Sequence, residues 1–330
     1  MLEKGKTSYS AETRALFQKE LLVGIGGLNF LFCYMGDESD LKRRAILDYR
    51  YAPFAVDDYS GSSVADFTVN IHPHVKSWSD ICPEELFESR PHAHTDIWDI
   101  YKDHQYFYVT LHFSGESRLI NQVLRLSRDN HHADLFLEIP IKNGDNRYKR
   151  ARSLPVMVFN PLDQFIFFWE YYLRQHFLLH SSAFKIDGKG YIALAESTGG
   201  KTTLLTTLMG NSDQVNILND EKNIIHHSNG DFMVSASPWF GSLGYCHNRN
   251  APLEAIFFIS KSEDNRIEKI GIMEALQEIL KTCIWPGYDR ILLDPYMNKL
   301  QKMLEEKSDS LFRLYYKKET DVYSVIRGMH

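Results

Sequence analysis

Tyr191–Met209 reads YIALAESTGGKTTLLTTLM, and this stretch decides the fold. Its opening, Tyr191–Ala195, is short and apolar, as a buried strand is. Its close, Thr202–Met209, sets apolar residues at helical spacing, and Gly210–Gln214 supplies a stop. Between them lies Ala195-Glu196-Ser197-Thr198-Gly199-Gly200-Lys201-Thr202. A glycine-bearing turn that leaves a strand and opens a helix is the setting a phosphate-cradling loop needs. Successive backbone N–H groups converge on negative charge there, and the helix N-terminus adds its dipole. Gly199 and Gly200 permit close approach and unusual torsions. Lys201 is placed to bridge outer phosphates, and the Thr202 hydroxyl to hold Mg²⁺. The candidate nucleotide-binding residues are therefore Ala195–Thr202 together with Thr203. Ala195 stands where such loops usually begin with glycine, and Gly-Lys-Thr alone is common, so a plain helix-capping turn is the competing reading.

Outward from the loop, the chain punctuates itself clearly. Pro161–Leu179 lacks alternation and starts with proline, which predicts a buried helix. His180–Ile186 reads as a strand, and Asp187-Gly188-Lys189-Gly190 as the hairpin turn leading into Tyr191–Ala195. Downstream, Val215–Leu218 is a short strand, Leu253–Ser260 a central strand, Ile272–Leu280 and Tyr296–Leu304 helices, and Leu311–Tyr316 a final strand. The first half is mostly strands: Leu28–Tyr34, Asp66–His72, Tyr106–His112 and Asp134–Ile139, separated by turn signals. It carries no chemical motif.

Two further features bear on chemistry. Leu218-Asn219-Asp220-Glu221 puts an acidic pair at the end of a strand, soon after the loop's helix. Such a pair can serve a metal and a reacting hydroxyl, or merely begin a surface turn. His180 opens the strand before the loop; it either pairs with backbone groups or works near phosphate. His226–His227 reads as loop or strand surface, because no third ligand stands at metal-binding spacing.

Composition narrows the class. The 330 residues suffice for two domains and a full core, with 44% apolar and 24% charged residues. A net charge of −6 asks for neither nucleic acid nor an anionic membrane. The short basic cluster Arg147, Lys149, Arg150 and Arg152 reads as a solvated turn. Cys33, Cys82, Cys246 and Cys283 are scattered, without CxxC spacing, as in a reducing compartment. The polar N-terminus has no apolar leader core, and Phe165–Leu179 is too short and too charged to span a bilayer. The expectation is a cytoplasmic protein.

His180-Ser181-Ser182-Ala183, Asp187-Gly188-Lys189-Gly190, Glu196-Ser197 with Gly200-Lys201-Thr202, and Leu218-Asn219-Asp220-Glu221, in that order, resemble the catalytic domain of HPr kinase/phosphorylase and its relatives. Asn160-Pro161-Leu162-Asp163, Ser237-Pro238-Trp239-Phe240-Gly241 and Pro252-Leu253 extend the likeness from about Asn160 to the C-terminus. The resemblance implies a P-loop kinase fold similar to the phosphoenolpyruvate carboxykinase core. It implies nucleotide binding at Ala195–Thr202, Asp220 as base towards a serine hydroxyl, and His180 near the active site. Family members commonly carry glycine where Ala195 and Thr198 stand, and aspartate where Glu221 stands. The family's arginine-glycine signature is missing, Arg249 being the nearest substitute, and residues 1–150 do not match the family's N-terminal domain. The likeness is therefore to relatives of the carbon-regulation enzyme, some of which phosphorylate serine on precursor peptides.

The combined expectation is an α/β chain with mixed sheets: a β-rich accessory domain over residues 1–152 and an HPr-kinase-like ATP domain over 153–330. Its activity would be an ATP-dependent kinase. The catalytic candidates are Asp220, His180 and Lys201; the Mg²⁺ candidates are Thr202, Asp220 and Glu221. The acceptor expected is a serine-containing peptide or protein. A serine-like small molecule, or a nucleotide bound without catalysis, are the alternatives. Self-association is left open.

Overall fold

A computed structural model describes residues 16–42, 44–56, 64–73, 81–83, 85–86, 89, 93–94, 98–111, 122–128, 131–137, 156–158, 162–196, 198–211, 213–284, 290–318 and 320–329. The chain forms two compact units, Met1–Gly24 with Leu28–Phe167, and Ile25–Gly27 with Phe168–His330. Both are built on mixed sheets, and the fold class is α/β.

The first unit holds β1 (Glu20–Ile25), β2 (Leu28–Tyr34), α1 (Glu38–Leu41), β3 (Phe67–His72), β4 (Ala93–His94), β5 (Trp98–Lys102), β6 (Tyr106–Leu111), β7 (Gln122–Ser127) and β8 (His132–Leu137). Their order across the sheet is β1-β2-β3-β8-β7-β6-β5-β4. β2, β3 and β8 run parallel, and β8 through β4 form an antiparallel ladder. Alternation is clearest in β3, where Phe67, Val69 and Ile71 are buried and the residues between them are not. The four strands read from the sequence are β2, β3, β6 and β8; His112, Glu138 and Ile139 lie outside the described residues. β1, β4, β5 and β7 had no strong periodic signal.

The second unit begins with the end of α2 (Leu162–Arg174). The helix expected to run to Leu179 stops at Arg174, and Pro161 lies outside the described residues. Gln175 takes a left-handed conformation, φ 58°. Gln175 N–H then donates to Tyr172 O, and His176 N–H to Tyr171 O. This is the Schellman termination that glycine usually signals. The next strand, β9 (Phe177–Ile186), thus starts three residues earlier than expected.

After β9 come β10 (Lys189–Leu194), α3 (Lys201–Asn211), β11 (Val215–Asn219), β12 (Lys222–Ser228), β13 (Asp231–Ala236), β14 (Asn250–Lys261), β15 (Arg266–Lys269), α4 (Ile272–Leu280), α5 (Arg290–Glu306), β16 (Leu311–Tyr316) and α6 (Val322–Arg327). Two long strands are each shared between two ladders. β9 pairs with β12 through its first half and with β10 and β11 through its second. β14 pairs with β13 first, then runs parallel to both β10 and β16. Alternate residues of β10 and β14 face opposite cores. Tyr191, Ala193, Ala255 and Phe257 pack with Leu204, Leu205 and Leu208 of α3 and Val322 of α6. Ile192, Leu194, Ile256 and Phe258 pack with Ala275 and Ile279 of α4 and Leu300 of α5.

His226 corrects the surface reading given to His226–His227. On β12, between β9 and β13, it is 3% exposed, its Nε2 lies 2.9 Å from Ser235 Oγ, and its ring stacks on His176 at 5.3 Å. Burial lowers its pKa, and lowers that of His176 to about 4, so both rings stay neutral at neutral pH. His227 alone of the pair is exposed, edge-on to Phe232.

Candidate functional site

Strand register assembles the site around the middle of β9. β10 places Leu194 opposite Ser181, so the turn that follows Leu194 starts beside Ser181. β11 leaves β9 at Ala183, and β12 rejoins it with Lys222 opposite His180. Asp220 and Glu221 are therefore the crossover between the two ladders that share β9. Glu221 O accepts the Ser181 N–H at 3.0 Å.

The turn from β10 to α3 is a tight loop. Gly199 N–H donates to Glu196 O at 2.9 Å, and Leu204 N–H to Gly200 O at 2.8 Å, the latter starting the helix. Gly200 has φ 104°, a conformation open in practice to glycine alone. A Cβ at Gly199 would come within 2.5 Å of the Ala195 side chain and 2.8 Å of Glu196 O. Glycine at 199 is what lets alanine stand at 195. Thr198 sits at φ 64°, a strained position for a β-branched residue. Ser197 lies outside the described residues. Thr198→Gly releases the strain, and we expect a gain of about 1 kcal/mol, read as a higher urea midpoint at unchanged slope. A loss of stability on that change would show that the Thr198 side chain is needed.

Lys201 opens α3 and is 7% exposed. Its ammonium donates to Ala195 O at 2.7 Å and more weakly to Glu196 O at 3.4 Å. Burial lowers its pKa and the charge of Glu221 opposes that fall. Thr202 is exposed on the first turn of α3, and Thr203, half-buried, lends its carbonyl to Tyr316 Oη at 3.4 Å. A cavity of about 370 Å³ opens beside the loop, lined among others by Ala195, Glu196, Gly199, Phe258, Ile259 and Thr282.

His180 Nε2 stands 3.7 Å from Glu221 Oε2, each side chain more than a third exposed. The His180 pKa is lowered by burial, then by Lys201 and Lys222, against the pull of Glu221. The structure thus brings His180, Lys201 and Glu221 into one electrostatic cluster. Asp220 lies beside Glu221 under Gly241 and is held by backbone. It is 2% exposed, and its two carboxylate oxygens accept N–H from Gly241 at 3.0 Å and from Leu243 at 2.7 Å.

Two residues organise the acidic pair and had no role from sequence. Asn219, fully buried, donates to Ser237 O at 2.8 Å and Tyr245 O at 3.4 Å, and accepts from Glu221 N–H at 2.7 Å and Lys222 N–H at 3.0 Å. Gly241 lets the loop after β13 pass over the pair: a Cβ there would lie 2.9 Å from Asp220 Oδ2 and 3.1 Å from Glu221 Oε2. Its place in Ser237-Pro238-Trp239-Phe240-Gly241 was the available signal. Arg249, exposed just before β14, gives its carbonyl to Ala236 N–H. Among the described residues no group of three or more His, Cys, Asp or Glu side chains could hold a metal ion. No described helix is long and apolar enough to cross a membrane.

No family model matches the chain, and no curated protein matches it in sequence. Among solved structures, the Hpr(Ser) kinase/phosphatase from Coxiella burnetii aligns with 39% of this chain and 98% of its own, at 13% identity and a TM-score of 0.23.

Proposed function

We propose that the loop Ala195–Thr202 encloses the polyphosphate of ATP and that the γ-phosphoryl group passes to a hydroxyl, on a serine of a peptide or protein. One observation carries this reading: a glycine-dependent turn between strand and helix holds a buried ammonium, Lys201, in the field of the Glu221–His180 pair. Phosphoryl transfer asks for little else from a protein. It needs charge neutralisation, positioning and a group to receive the hydroxyl proton. In this reading loop amides and Lys201 would supply the first two, and the acidic pair offers carboxylates for the third.

Mg²⁺ has candidate donors in this reading. Thr202 offers an exposed hydroxyl, and Asp220 and Glu221 carboxylates, all hard oxygens of the kind that ion prefers. Mg²⁺, when bound, would neutralise charge on the phosphate oxygens. The cavity lined by Phe258 and Ile259 offers apolar surface for the nucleoside. Residues 1–152 act in this reading as an accessory domain for the acceptor. The four free thiols suit a cytoplasmic setting.

The test is direct. Mg-ATP at a hundredfold excess over its Kd should add about 2.7 kcal/mol of stability. Label from γ-phosphate-labelled ATP should then appear on a serine-containing peptide. Label on free serine instead would make the acceptor a small molecule. Stabilisation without ADP formation would leave a nucleotide-binding regulator, and no stabilisation would end the reading.

A further inference from the structure

We propose that the second unit holds a separate small-molecule site, where α2, the β12–β13 hairpin and α5 meet, for an organic anion that carries a flat ring. The proposal stands apart from the kinase reading and uses none of its residues.

A cavity of about 340 Å³ opens between the C-terminus of α2, the start of β9, the β12–β13 hairpin and α5. That volume falls in the range of about 300–1,000 Å³ usual for small-molecule sites. It lies away from the loop after Leu194. β12 sets Lys222 beside His180 and brings His227 to the cavity wall five residues on, about 17 Å at the rise of an extended strand.

The lining combines two chemistries. Phe177, Phe232 and Met303, all buried, supply the apolar part. His227 meets Phe232 edge-on at 5.3 Å, and an aromatic corner of this kind takes a further ring in offset or edge contact. The Met303 thioether favours the same neighbour. Against this surface stand three cations, Arg174, Lys299 and Lys302, and one carboxylate, Glu306, although the whole chain carries a net charge of −6. Glu170, itself fully buried, bonds Arg174 Nε at 2.8 Å and fixes the guanidinium. Lys299 and Lys302 are three apart on α5 and so share a face, where both ammonium groups can reach one oxyanion. Lys302 is held only by an exposed contact to Glu306 at 3.7 Å. Lys307 and Asp231, on the flank, neutralise each other at 2.6 Å. His176 is kept neutral by burial and adds no charge. A cationic ligand would be repelled here, and an uncharged ring would leave the ammonium groups unused.

Gln175 adds a second kind of observation. It lines the cavity in a left-handed conformation, and its Oε1 is enclosed without a hydrogen-bond partner. A non-glycine residue kept in that conformation, with an acceptor unmet, marks a wall shaped for more than packing.

The experiment uses the whole chain and measures equilibrium binding. Phenyl phosphate and benzoate join ring to anion, inorganic phosphate is the head alone, and benzyl alcohol is the ring alone. The two ring anions should bind with a Kd below about 1 mM, at least about tenfold tighter than either half. The double change Lys299→Gln, Lys302→Gln alters exposed side chains to another good helix former, so the fold stays. It should weaken both ring anions at least about tenfold. Lys201→Met should bind them as the wild type does, because the loop takes no part. The site is overturned if the ring anions do not bind, or if inorganic phosphate or benzyl alcohol binds as tightly. It is overturned equally if the double variant keeps wild-type affinity, or if Lys201→Met loses it, which would put the anions in the loop. Failure of Mg-ATP to bind would bring down the kinase reading and leave this site standing.

Discussion

Lys201→Met should abolish most of the stabilisation that Mg-ATP confers, and transfer with it. The methionine stem fills the same space, so the fold persists, at a cost of about 1 kcal/mol for the lost bonds to the Ala195 and Glu196 carbonyls. The change removes a cation held at 7% exposure, where an opposing charge is screened far less than in water. A hundredfold weaker affinity follows from about 2.7 kcal/mol of lost interaction. At a ligand concentration that gave the wild type about 2.7 kcal/mol, the variant would gain only about 0.4 kcal/mol. Transfer should fall further, roughly 10²- to 10³-fold, because the ammonium also meets charge that grows in the transition state. Differential scanning fluorimetry over a Mg-ATP series, with inorganic phosphate as control, reads the first effect. A variant that Mg-ATP stabilises as well as it does the wild type would remove Lys201, and the loop with it, from nucleotide binding.

Asn219→Leu should be the most damaging substitution near the site for stability. Leucine keeps the branched shape but leaves the Glu221 and Lys222 amides and the Ser237 and Tyr245 carbonyls without their partner. Each buried group so orphaned costs about 1 to 3 kcal/mol, partly recovered as the turn relaxes. A net loss of about 3 to 5 kcal/mol is expected, or roughly 10 °C in Tm. Asn219→Asp divides the effect. The carboxylate still accepts the two amides but opposes the two carbonyls with a second oxygen, so it should loosen the loop that holds Asp220 while sparing the crossover. Urea denaturation gives the energies, and a loss below 1 kcal/mol for Asn219→Leu would show that the turn stands without its clamp.

What the sequence made legible was local. Tyr191–Thr202 announced its strand, turn and helix because apolar periodicity changed across a pair of glycines, and β10 and α3 lie where that change occurs. Gln175 hid the end of α2 because its left-handed conformation is one that glycine normally advertises. β7 hid because QVLRLS mixes residue types, although it sits between two partners that bury it. His226 misleads for a related reason. Its residue type suggests surface, while its strand has neighbours on both edges. The site's finer order is long-range throughout. Gly241 meets Asp220 across 21 residues and Asn219 meets Tyr245 across 26, and no local pattern encodes such meetings.

The sharing of β9 and β14 between ladders has a consequence for motion. A strand that pairs with one neighbour in its first half and with two others in its second cannot leave one of them without loading the rest. Opening one ladder should therefore draw in the other, and slow amide exchange is expected along both strands. The loop after Leu194 is carried on this shared pairing, so the entropy lost on capturing an anion there should be confined to a few residues.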